Sequence, residues 1–337
     1  MSIQHKCIYL IGVLFFLGFN ELKSQDTIAA RGIEEALEAS SQGNFVSVTL
    51  ARDTHSVFPE RFFELPEDKV IALIVDNCAY RGFPDELARY QNIVYFRYSW
   101  FYFRDAPYND FPPFLLQLKK LNDLTFERIK IPGVPKAIKK LKKLEYLQLY
   151  ACKMPNFPLE VLKLKKLKTL RLPCNEFTAI PKDIDRLKAL QVLSFEGGAC
   201  GGTPIDQIPN SIGNLSNLAL FELGYSKKGI KELPESFTKL QKLRRFECNG
   251  CGLGGLPASF GQLQALESIS LMNIREFRPF PESFFSLNNV KSFRYYQYYS
   301  PDEQLLKQLP QLEAWGKDLK FYDFEISEVY KYPPRKK

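Results

Sequence analysis

Histidine is almost missing from the 337-residue chain, which contains only His5 and His55. So few imidazoles exclude a histidine metal cluster and give no basis for a histidine-dependent catalytic triad. The glycine-rich stretch GGACGGTP (197–204) lacks the Gly-Lys-Ser/Thr sequence that holds phosphates, which predicts a surface loop. We therefore expect a protein that is not an enzyme and has no catalytic, metal-binding or cofactor-binding residues.

Long apolar runs are equally scarce, and the clearest one, CIYLIGVLFFLGF (7–19), is too short to span a bilayer. A basic residue, Lys6, precedes it, and Ser24 stands after it at a site suited to cleavage. This order predicts a secretory signal peptide over residues 1–24. The ending KSQ (23–25) resembles that of exported proteins of Bacteroidetes-type bacteria. We expect an exported chain, periplasmic or secreted to the cell surface, without stable membrane insertion after cleavage.

One motif recurs along the rest of the chain, most often at a spacing of 23 residues. It is clearest in LEYLQLYACKM (144–154), LKTLRLPCNEF (167–177) and LRRFECNGCGL (243–253). Bulky apolar residues stand at its first and fourth positions, and Asn or Cys stands at its ninth, as in L-x-x-L-x-L-x-x-N/C-x-L. The motif starts at eleven positions: Phe45, Val70, Ile93, Leu121, Leu144, Leu167, Leu190, Leu218, Leu243, Leu266 and Val290.

Each L-x-x-L-x-L stretch predicts a short strand whose inward residues only neighbouring units can bury, so the units must stack. A proline that follows an apolar residue recurs behind the strands in ten units, as in LPESFTKL (233–240). These residues resemble the leucine-rich repeat family, in its 23-residue LP-x-x-F-x-x-L type, over about residues 45–311. The resemblance implies an α/β repeat solenoid shaped as a horseshoe. Parallel strands would line its concave face and short helical or 3₁₀ segments its convex face.

A solenoid of this kind needs a cap at each end, because a bare terminal unit would expose its core. The stretch 27–43 predicts an amphipathic helix, so we assign residues 25–44 to an N-terminal capping helix. Residues 301–310 and 319–332 should close the other end, and a degenerate twelfth unit is expected from Leu312. The segment 312–337 is therefore assigned to the C-terminal cap and tail.

The Cys-x-x-Cys pair at Cys248 and Cys251 is expected to have no redox or metal chemistry. In the repeat register Cys248 occupies the sixth, core-facing position and Cys251 the ninth, a position that Cys78 and Cys152 also hold. A zinc site would need a second cysteine pair at ligand spacing. We predict that the ninth-position cysteines are buried free thiols. Cys174 and Cys200, in adjacent units, are the only pair for which a disulfide is considered.

The third, fifth and seventh positions of each strand should line the concave face, because they alternate with the core residues. Tyrosine, tryptophan and arginine, which are enriched at binding hot spots, cluster there in two places. We predict that these residues contact a partner: Tyr95, Arg97, Trp100, Tyr146, Gln148, Tyr150 and Arg171 in a first cluster, and Arg294 and Tyr296 in a second. The resemblance implies a protein partner, and a glycan bound by the same aromatic residues is the alternative.

The chain carries a net charge of +8, which falls to +7 without residues 1–24 because Lys6, Lys23 and Glu21 are removed. This mild excess does not indicate a nucleic-acid partner. Two lysine runs, KKLKKL (139–144) and KLKKLK (163–168), should lie on the back of the solenoid. A solvated face is the expectation for them, and contact with an anionic envelope surface is the alternative.

Overall fold

The computed structural model describes residues 27–102, 106–200, 202–226, 228–274, 277–297, 303–319 and 321–326. These residues contain one thirteen-stranded sheet in which the strands follow each other in chain order and every neighbouring pair is parallel. The predicted signal peptide, 1–24, lies outside the described residues. The strands are β1 Thr27–Arg31, β2 Phe45–Ala51, β3 Val70–Asp76, β4 Tyr95–Ser99, β5 Asp123–Glu127, β6 Tyr146–Tyr150, β7 Thr169–Arg171, β8 Val192–Ser194, β9 Leu220–Leu223, β10 Arg245–Asn249, β11 Ser268–Ile274, β12 Ser292–Gln297 and β13 Phe321–Ile326.

The register between strands is the one that the repeat predicts. The third-position residues of the eleven units pair with one another from β2 to β12. They are Ser47, Ala72, Tyr95, Asp123, Tyr146, Thr169, Val192, Leu220, Arg245, Ser268 and Ser292. Residues with the same repeat number therefore form rows along the solenoid. The predicted α/β repeat solenoid is confirmed.

Short 3₁₀ segments form the back of the solenoid. They are Glu60–Glu64, Asp85–Arg89, Pro113–Gln117, Lys136–Lys140, Leu159–Lys163, Ile184–Arg186, Asn210–Asn214, Glu235–Lys239, Phe260–Gln262 and Glu282–Ser286, and one further 3₁₀ turn, Gly198–Cys200, lies in the glycine-rich loop after β8. The repeat proline stands before ten of them, and its carbonyl accepts a hydrogen bond of 2.8–3.2 Å from the amide three residues later. The proline mostly occupies the N-cap, one residue before the helical position that is usual for proline. Its missing N–H costs nothing there.

The core lies between the sheet and the 3₁₀ segments. Fourth- and sixth-position side chains such as Leu147, Leu149 and Phe221 are completely buried. Burial of one such side chain stabilises the fold by about 1.5–3 kcal/mol. Where phenylalanine replaces leucine, rings of adjacent units stack, as Phe221 does on Phe246 with centroids 6.3 Å apart. The replacements therefore continue the core from unit to unit.

The N-terminal cap differs from the predicted single helix over 27–43. Residues Thr27–Arg31 form β1, which extends the sheet beside β2, and only Ile33–Ser41 form a helix, α1. The boundary lies at Gly32, whose φ of 106° is a conformation that a helix cannot contain and that favours glycine. Ala30 faces the core while Ala36 and Ala39 of α1 are buried behind it.

The C-terminal end also differs from the expected twelfth unit at Leu312. Leu312 is a buried residue of helix α3, Leu309–Gly316, which follows the short helix α2, Glu303–Lys307. The strand that continues the sheet is β13, in which Phe321 pairs with Ser292, so the repeat register restarts near Leu319. Trp315 packs its ring on Phe284, with centroids 4.8 Å apart, and thereby covers the last unit. Residues 327–332 of the expected cap lie outside the described residues.

The ninth position satisfies backbone groups in the turn after each strand. Asn175 donates from Nδ2 to the carbonyls of Leu149 and Leu172, at 2.8 and 3.1 Å. The Cys78 thiol donates to the Leu50 carbonyl at 3.3 Å, and the Cys152 thiol contacts the Phe126 carbonyl at 3.8 Å. Both thiols are buried and free, as predicted.

The prediction of a free thiol is wrong for Cys251. Cys251 is joined to Cys248 in a disulfide, and both residues are completely buried. The reason is geometric: the turn after β10 returns the ninth position to within 5.4 Å of the sixth, measured between Cα atoms, which is within disulfide range. A second disulfide joins Cys174 to Cys200, the pair that had been left open, with Cα atoms 6.0 Å apart. It closes the glycine-rich loop against the preceding unit.

Candidate recognition surface

The concave face is formed by the third, fifth and seventh positions of the strands, and its charged residues have a distinctive composition. In the eleven units these positions hold six acidic residues, four arginines and no lysine. The acidic residues are Asp76, Asp123, Glu127, Glu196, Glu222 and Glu247, and the arginines are Arg97, Arg171, Arg245 and Arg294. The face is therefore slightly acidic although the whole chain is basic, and arginine is the only strong cation on it.

A hydrogen-bonded network fixes the side chains on β4 to β6. Arg97 Nη2 lies 2.9 Å from Glu127 Oε2, and Arg97 Nε lies 3.6 Å from Asp76 Oδ1. Gln148 Nε2 donates to the other Glu127 oxygen, Oε1, at 3.0 Å, and Tyr146 Oη donates to Gln148 Oε1 at 2.8 Å. The Arg97, Glu127 and Asp76 side chains are 24%, 16% and 27% exposed. Three predicted site residues are thus held in one arrangement before any partner binds.

Beside this network, on β5, lies a carboxyl that is half-buried and has one oxygen inaccessible to solvent. Asp123 on β5 has Tyr95 and Tyr146 beside it at the same register of β4 and β6. Among the described residues, its Oδ1 atom is inaccessible to solvent and accepts no hydrogen bond. Burial raises the pKa of Asp123 to about 7, and a hydrogen bond with Thr125 offsets only part of that shift. Burial likewise raises the pKa of the Tyr95 and Tyr146 hydroxyls.

Arg171 continues the surface on β7 and reaches across two strands. Its Nη1 atom lies 3.2 Å from Glu222 Oε2 and 3.4 Å from Ser194 Oγ. Glu222 in turn pairs in register with Glu247 of β10. Burial, with the nearby Glu222 charge, raises the pKa of Glu247. The guanidinium of Arg171 is therefore positioned by a carboxylate and remains about one-third exposed, at 31%.

Trp100 follows β4 at the edge of the concave face. It is half-buried against the core, and its ring makes an edge contact with Tyr102 at a centroid distance of 5.0 Å. Phe101 and Tyr102 are 46% and 54% exposed, and the Arg128 guanidinium lies 5.6 Å from the Phe101 ring centroid. Part of the predicted aromatic insertion thus presents rings to solvent. Residues 103–105 lie outside the described residues.

The second cluster is far from the first. Arg294 and Tyr296 are on β12, at the fifth and seventh positions, and Arg294 is exposed while Tyr296 is half-buried. Five strand spacings of about 4.8 Å separate β12 from β7, so the two clusters lie about 24 Å apart. The structure brings the seven predicted residues of the first cluster together on β4 to β7 and does not bring Arg294 and Tyr296 to them.

Sequence reasoning did not select Asp123 and Glu127 as site residues, although Glu127 joins Arg97 to Gln148 and Asp123 lies in register between Tyr95 and Tyr146. Both occupy concave-facing positions of β5, between the two strands that carry the predicted tyrosines. The repeat register alone could have placed them there. The burial that distinguishes Asp123 depends on how the neighbouring tyrosine rings lie, which no sequence pattern specifies.

Two kinds of feature are not found among the described residues. No group of three or more His, Cys, Asp and Glu side chains arranged to hold a metal ion is found among them. Within the same part of the chain, no helix combines the length and apolar character that crossing a membrane requires.

No family model matches the chain, and no curated protein matches it. Several solved structures match the chain. The plant peptide hormone receptor RGFR1, determined in complex with RGF2, is 17% identical over 83% of this chain and 49% of its own, with a TM-score of 0.51. A TDR receptor is 18% identical over 83% of this chain and 50% of its own, with a TM-score of 0.53. An LRR protein of Leptospira interrogans is 17% identical over 82% of this chain and 89% of its own, and its TM-score of 0.35 supports no further conclusion.

The chain thus spans about half the length of the two receptor chains. At this level of identity the likeness concerns the fold and not the ligand. It agrees with the single parallel sheet, the 3₁₀ segments behind it and the register of the repeats. The chain has the fold of a leucine-rich repeat solenoid.

Proposed function

We propose that this protein is an exported, non-catalytic recognition module that binds a protein partner through its concave face. The observation that carries the proposal is the network of Arg97, Glu127, Gln148 and Tyr146, which fixes aromatic and arginine side chains on the open side of the sheet. Side chains ordered in advance lose little entropy on binding. Tyrosine and arginine in such a setting are the residues that dominate protein interfaces.

The contact surface of the proposal is the first cluster, which comprises Tyr95, Arg97, Trp100, Tyr146, Gln148, Tyr150 and Arg171. Arg294 and Tyr296 would form a second contact for a partner long enough to reach β12. The solved complex of RGFR1 with RGF2 is that of a peptide hormone receptor. It shows what one solenoid of this fold binds, and it supports a protein or peptide partner by analogy only.

Export rests on the sequence of residues 1–24, and the two disulfides support it. Disulfides persist in the periplasm and outside the cell and are rare in the cytosol. Cys174–Cys200 and Cys248–Cys251 join four of the six cysteines outside the predicted signal peptide. The mature chain would then be periplasmic or secreted to the cell surface.

A glycan is the second candidate ligand, and the exposed rings of Phe101 and Tyr102 favour it. Flat aromatic faces beside Trp100 offer a stacking surface for sugar rings, and hydroxyl-rich ligands could use Gln148 and Tyr150. Soluble oligosaccharides added as competitors separate the two candidates, because they would release a bound glycan and leave a protein complex intact.

The test is a pull-down from envelope and culture fractions with the chain that starts at Gln25. A Tyr150→Ala/Arg171→Gln variant removes two hot-spot side chains and leaves the Arg97 network untouched. The matched control is Arg186→Gln/Tyr225→Ala, the same chemical change at exposed positions outside both clusters. A partner that the wild type and the control capture should be lost, or bound more than about tenfold more weakly, by the first variant.

Circular dichroism must show that both variants are folded at the temperature of the pull-down, because Arg171→Gln leaves Glu222 without its counter-charge. Equal capture by all three proteins would overturn the assignment of the concave first cluster. Release by oligosaccharides alone would replace the protein partner with a glycan.

A further inference from the structure

Positive charge is concentrated in one third of the solenoid. Residues 113–190 contain 18 Lys and Arg against 7 Asp and Glu, a net charge of +11, so the remainder of the chain, with 28 against 31, has a net charge of −3. Fifteen of the 18 basic residues are lysines. The chain is therefore not uniformly basic, and its excess charge is a local property of these units.

Six of these lysines form two rows, which we call the lysine ladder. Lys119, Lys142 and Lys165 follow one another at intervals of 23 residues, and Lys120, Lys143 and Lys166 do the same. Lys188 continues the first row at the same interval but pairs with Asp185 at 3.7 Å, so the ladder ends at Lys165 and Lys166. All six are exposed and lie in the turn that leads from a 3₁₀ segment into a strand. Because adjacent strands are about 4.8 Å apart, successive lysines of each row lie close together.

The ladder is not neutralised by the protein. Within the part of the chain that the structure describes, none of the six lysines has an acidic partner, and Lys120 contacts only the neutral Asn92 Oδ1, at 2.7 Å. The nearby carboxylate of Glu145 is bound to Lys168 at 2.7 Å. Like charges at this spacing repel each other, so the ladder costs stability.

The fold does not require lysine at these positions. In other units glutamine replaces the first row: Gln91, Gln241 and Gln264 each donate to the carbonyl three residues earlier, at 2.6–2.9 Å, and to the next unit, at 3.2–3.4 Å. In the second row, Asn217 and Asn289 bond the preceding unit at 2.9 and 2.8 Å, and Lys69 and Lys242 bond it at 2.7 and 2.8 Å. The first-row lysines thus stand where an amide would stabilise the fold, which points to a role outside it.

An exposed apolar side chain lies at the start of the 3₁₀ segment that leads to Lys165 and Lys166. Leu159 opens the 3₁₀ segment Leu159–Lys163 and is 55% exposed, whereas Lys136 and Lys182 hold the equivalent position of the units on either side. Lysines that surround an exposed apolar residue are typical of surfaces that rest on anionic lipid. Single-stranded nucleic acid would instead call for exposed aromatic side chains on which bases can stack. In residues 113–190 the phenylalanines are buried, and Tyr146 and Tyr150 lie on the concave face.

We propose that the lysine ladder docks the protein on the surface of a bilayer that contains anionic phospholipid. The lysines would lie among the phosphate groups and Leu159 would enter the interface. Because the ladder is in the turns before the strands, the concave face would remain open to a partner. This inference does not depend on the proposed function of that face.

The test is co-sedimentation with vesicles of phosphatidylcholine, with and without phosphatidylglycerol. The chain starts at Gln25, because residues 1–24 would themselves enter the lipid. Wild-type protein should bind the anionic vesicles at low salt, bind the neutral ones weakly, and be released as the Debye length shrinks from about 10 Å at 0.1 M to about 3 Å at 1 M salt. Each neutralised lysine should lower the partition coefficient about fivefold.

Two charge-reversal variants make the test specific to the ladder. Lys142→Glu/Lys165→Glu should lower partition to anionic vesicles by more than about 25-fold. Lys231→Glu/Lys239→Glu, which changes the net charge equally at exposed lysines outside residues 113–190, should have a much smaller effect. Leu159→Ser should lower partition severalfold at unchanged charge.

Three results would overturn the proposal. They are absence of binding to anionic vesicles at low salt, an equal loss in the two charge-reversal variants, and binding that persists at high salt. Ladder-dependent binding to a single-stranded oligonucleotide with no binding to vesicles would also overturn it, in favour of a polyanion.

Discussion

The two sides of the same central units use positive charge in opposite ways. On the concave face the cations are arginines, and Arg97 and Arg171 each lie within 3.2 Å of a glutamate oxygen. In the turns behind them the cations are lysines, and Lys142 and Lys165 have no acidic partner among the described residues. One backbone repeat therefore carries a paired, ordered set of charges and an unpaired, exposed set.

The difference between arginine and lysine indicates which kind of partner the concave face and the ladder can each recognise. Arginine presents a planar group with fixed donors and is weakly hydrated, so a desolvated arginine selects a partner by shape. Lysine is a strongly hydrated point charge on a flexible stem, so an exposed row of lysines selects by charge alone and is sensitive to salt. The difference therefore supports both proposals, a specific partner for the concave face and a bilayer surface for the ladder.

The largest expected effect comes from removing the paired cation of the concave face. Arg97→Leu leaves Glu127 and Asp76 partly buried without their counter-charge, so the free energy of unfolding should fall by about 2 kcal/mol. Urea denaturation of the wild type, Arg97→Leu, Glu127→Gln and the double variant measures the coupling. If the two single effects simply add, within about 0.5 kcal/mol, the pair does not stabilise the fold and the contrast between the faces fails.

An effect of a different kind, a pH dependence, is expected at the same site. An aspartate in an unfolded chain titrates near about 3.9, whereas burial raises the pKa of Asp123 to about 7. Between these values the folded state keeps a proton that the unfolded state releases. The contribution is therefore fully present below the unfolded pKa, and the free energy of unfolding falls as pH rises through this window, by at most about 1.4 kcal/mol per pH unit.

The matched variant for this prediction is Asp123→Asn, which cannot ionise and should lack the decline. Subtracting its pH dependence of the free energy of unfolding from that of the wild type removes the contribution of Glu127 and of every other group that the two proteins share. A difference that stays flat from about pH 4 to pH 7 would mean that the Asp123 carboxyl is solvated, contrary to its buried Oδ1.

The repeat made most of the fold predictable. Apolar residues at a fixed period allow only one register, so the pairing of Asp123 with Tyr95 and Tyr146 follows from counting residues. The ends were not predictable in this way, because β1 has no repeat behind it and its boundary depends on the backbone of Gly32. The Cys248–Cys251 disulfide depends on how closely one turn folds back, which spacing alone does not give.

The candidate site, like the fold, could be predicted from the sequence only in part. Residue types at concave positions identified Tyr146, Gln148 and Arg171, because those positions are set by the period of two within each strand. Their bonds across strands, such as Arg171 to Glu222, depend on side-chain reach over two neighbours. For the same reason the isolation of the ladder lysines could not be read from the runs KKLKKL and KLKKLK, which only show that charge is present.

The smallest expected effect has the opposite sign and lies on the ladder. Lys142→Gln places an amide where Gln91 and Gln241 donate to two backbone carbonyls in their own units. The new side chain can reach the carbonyls of Lys139 and Lys163, and one repelling charge is removed, so the free energy of unfolding should rise by about 0.5 kcal/mol. Denaturation in urea at low salt measures the change, and Lys239→Gln, outside the ladder, provides the control. A loss of more than about 1 kcal/mol would show that Lys142 stabilises the fold. The ladder would then be a structural feature, and the contrast with the concave face would no longer indicate two separate binding surfaces.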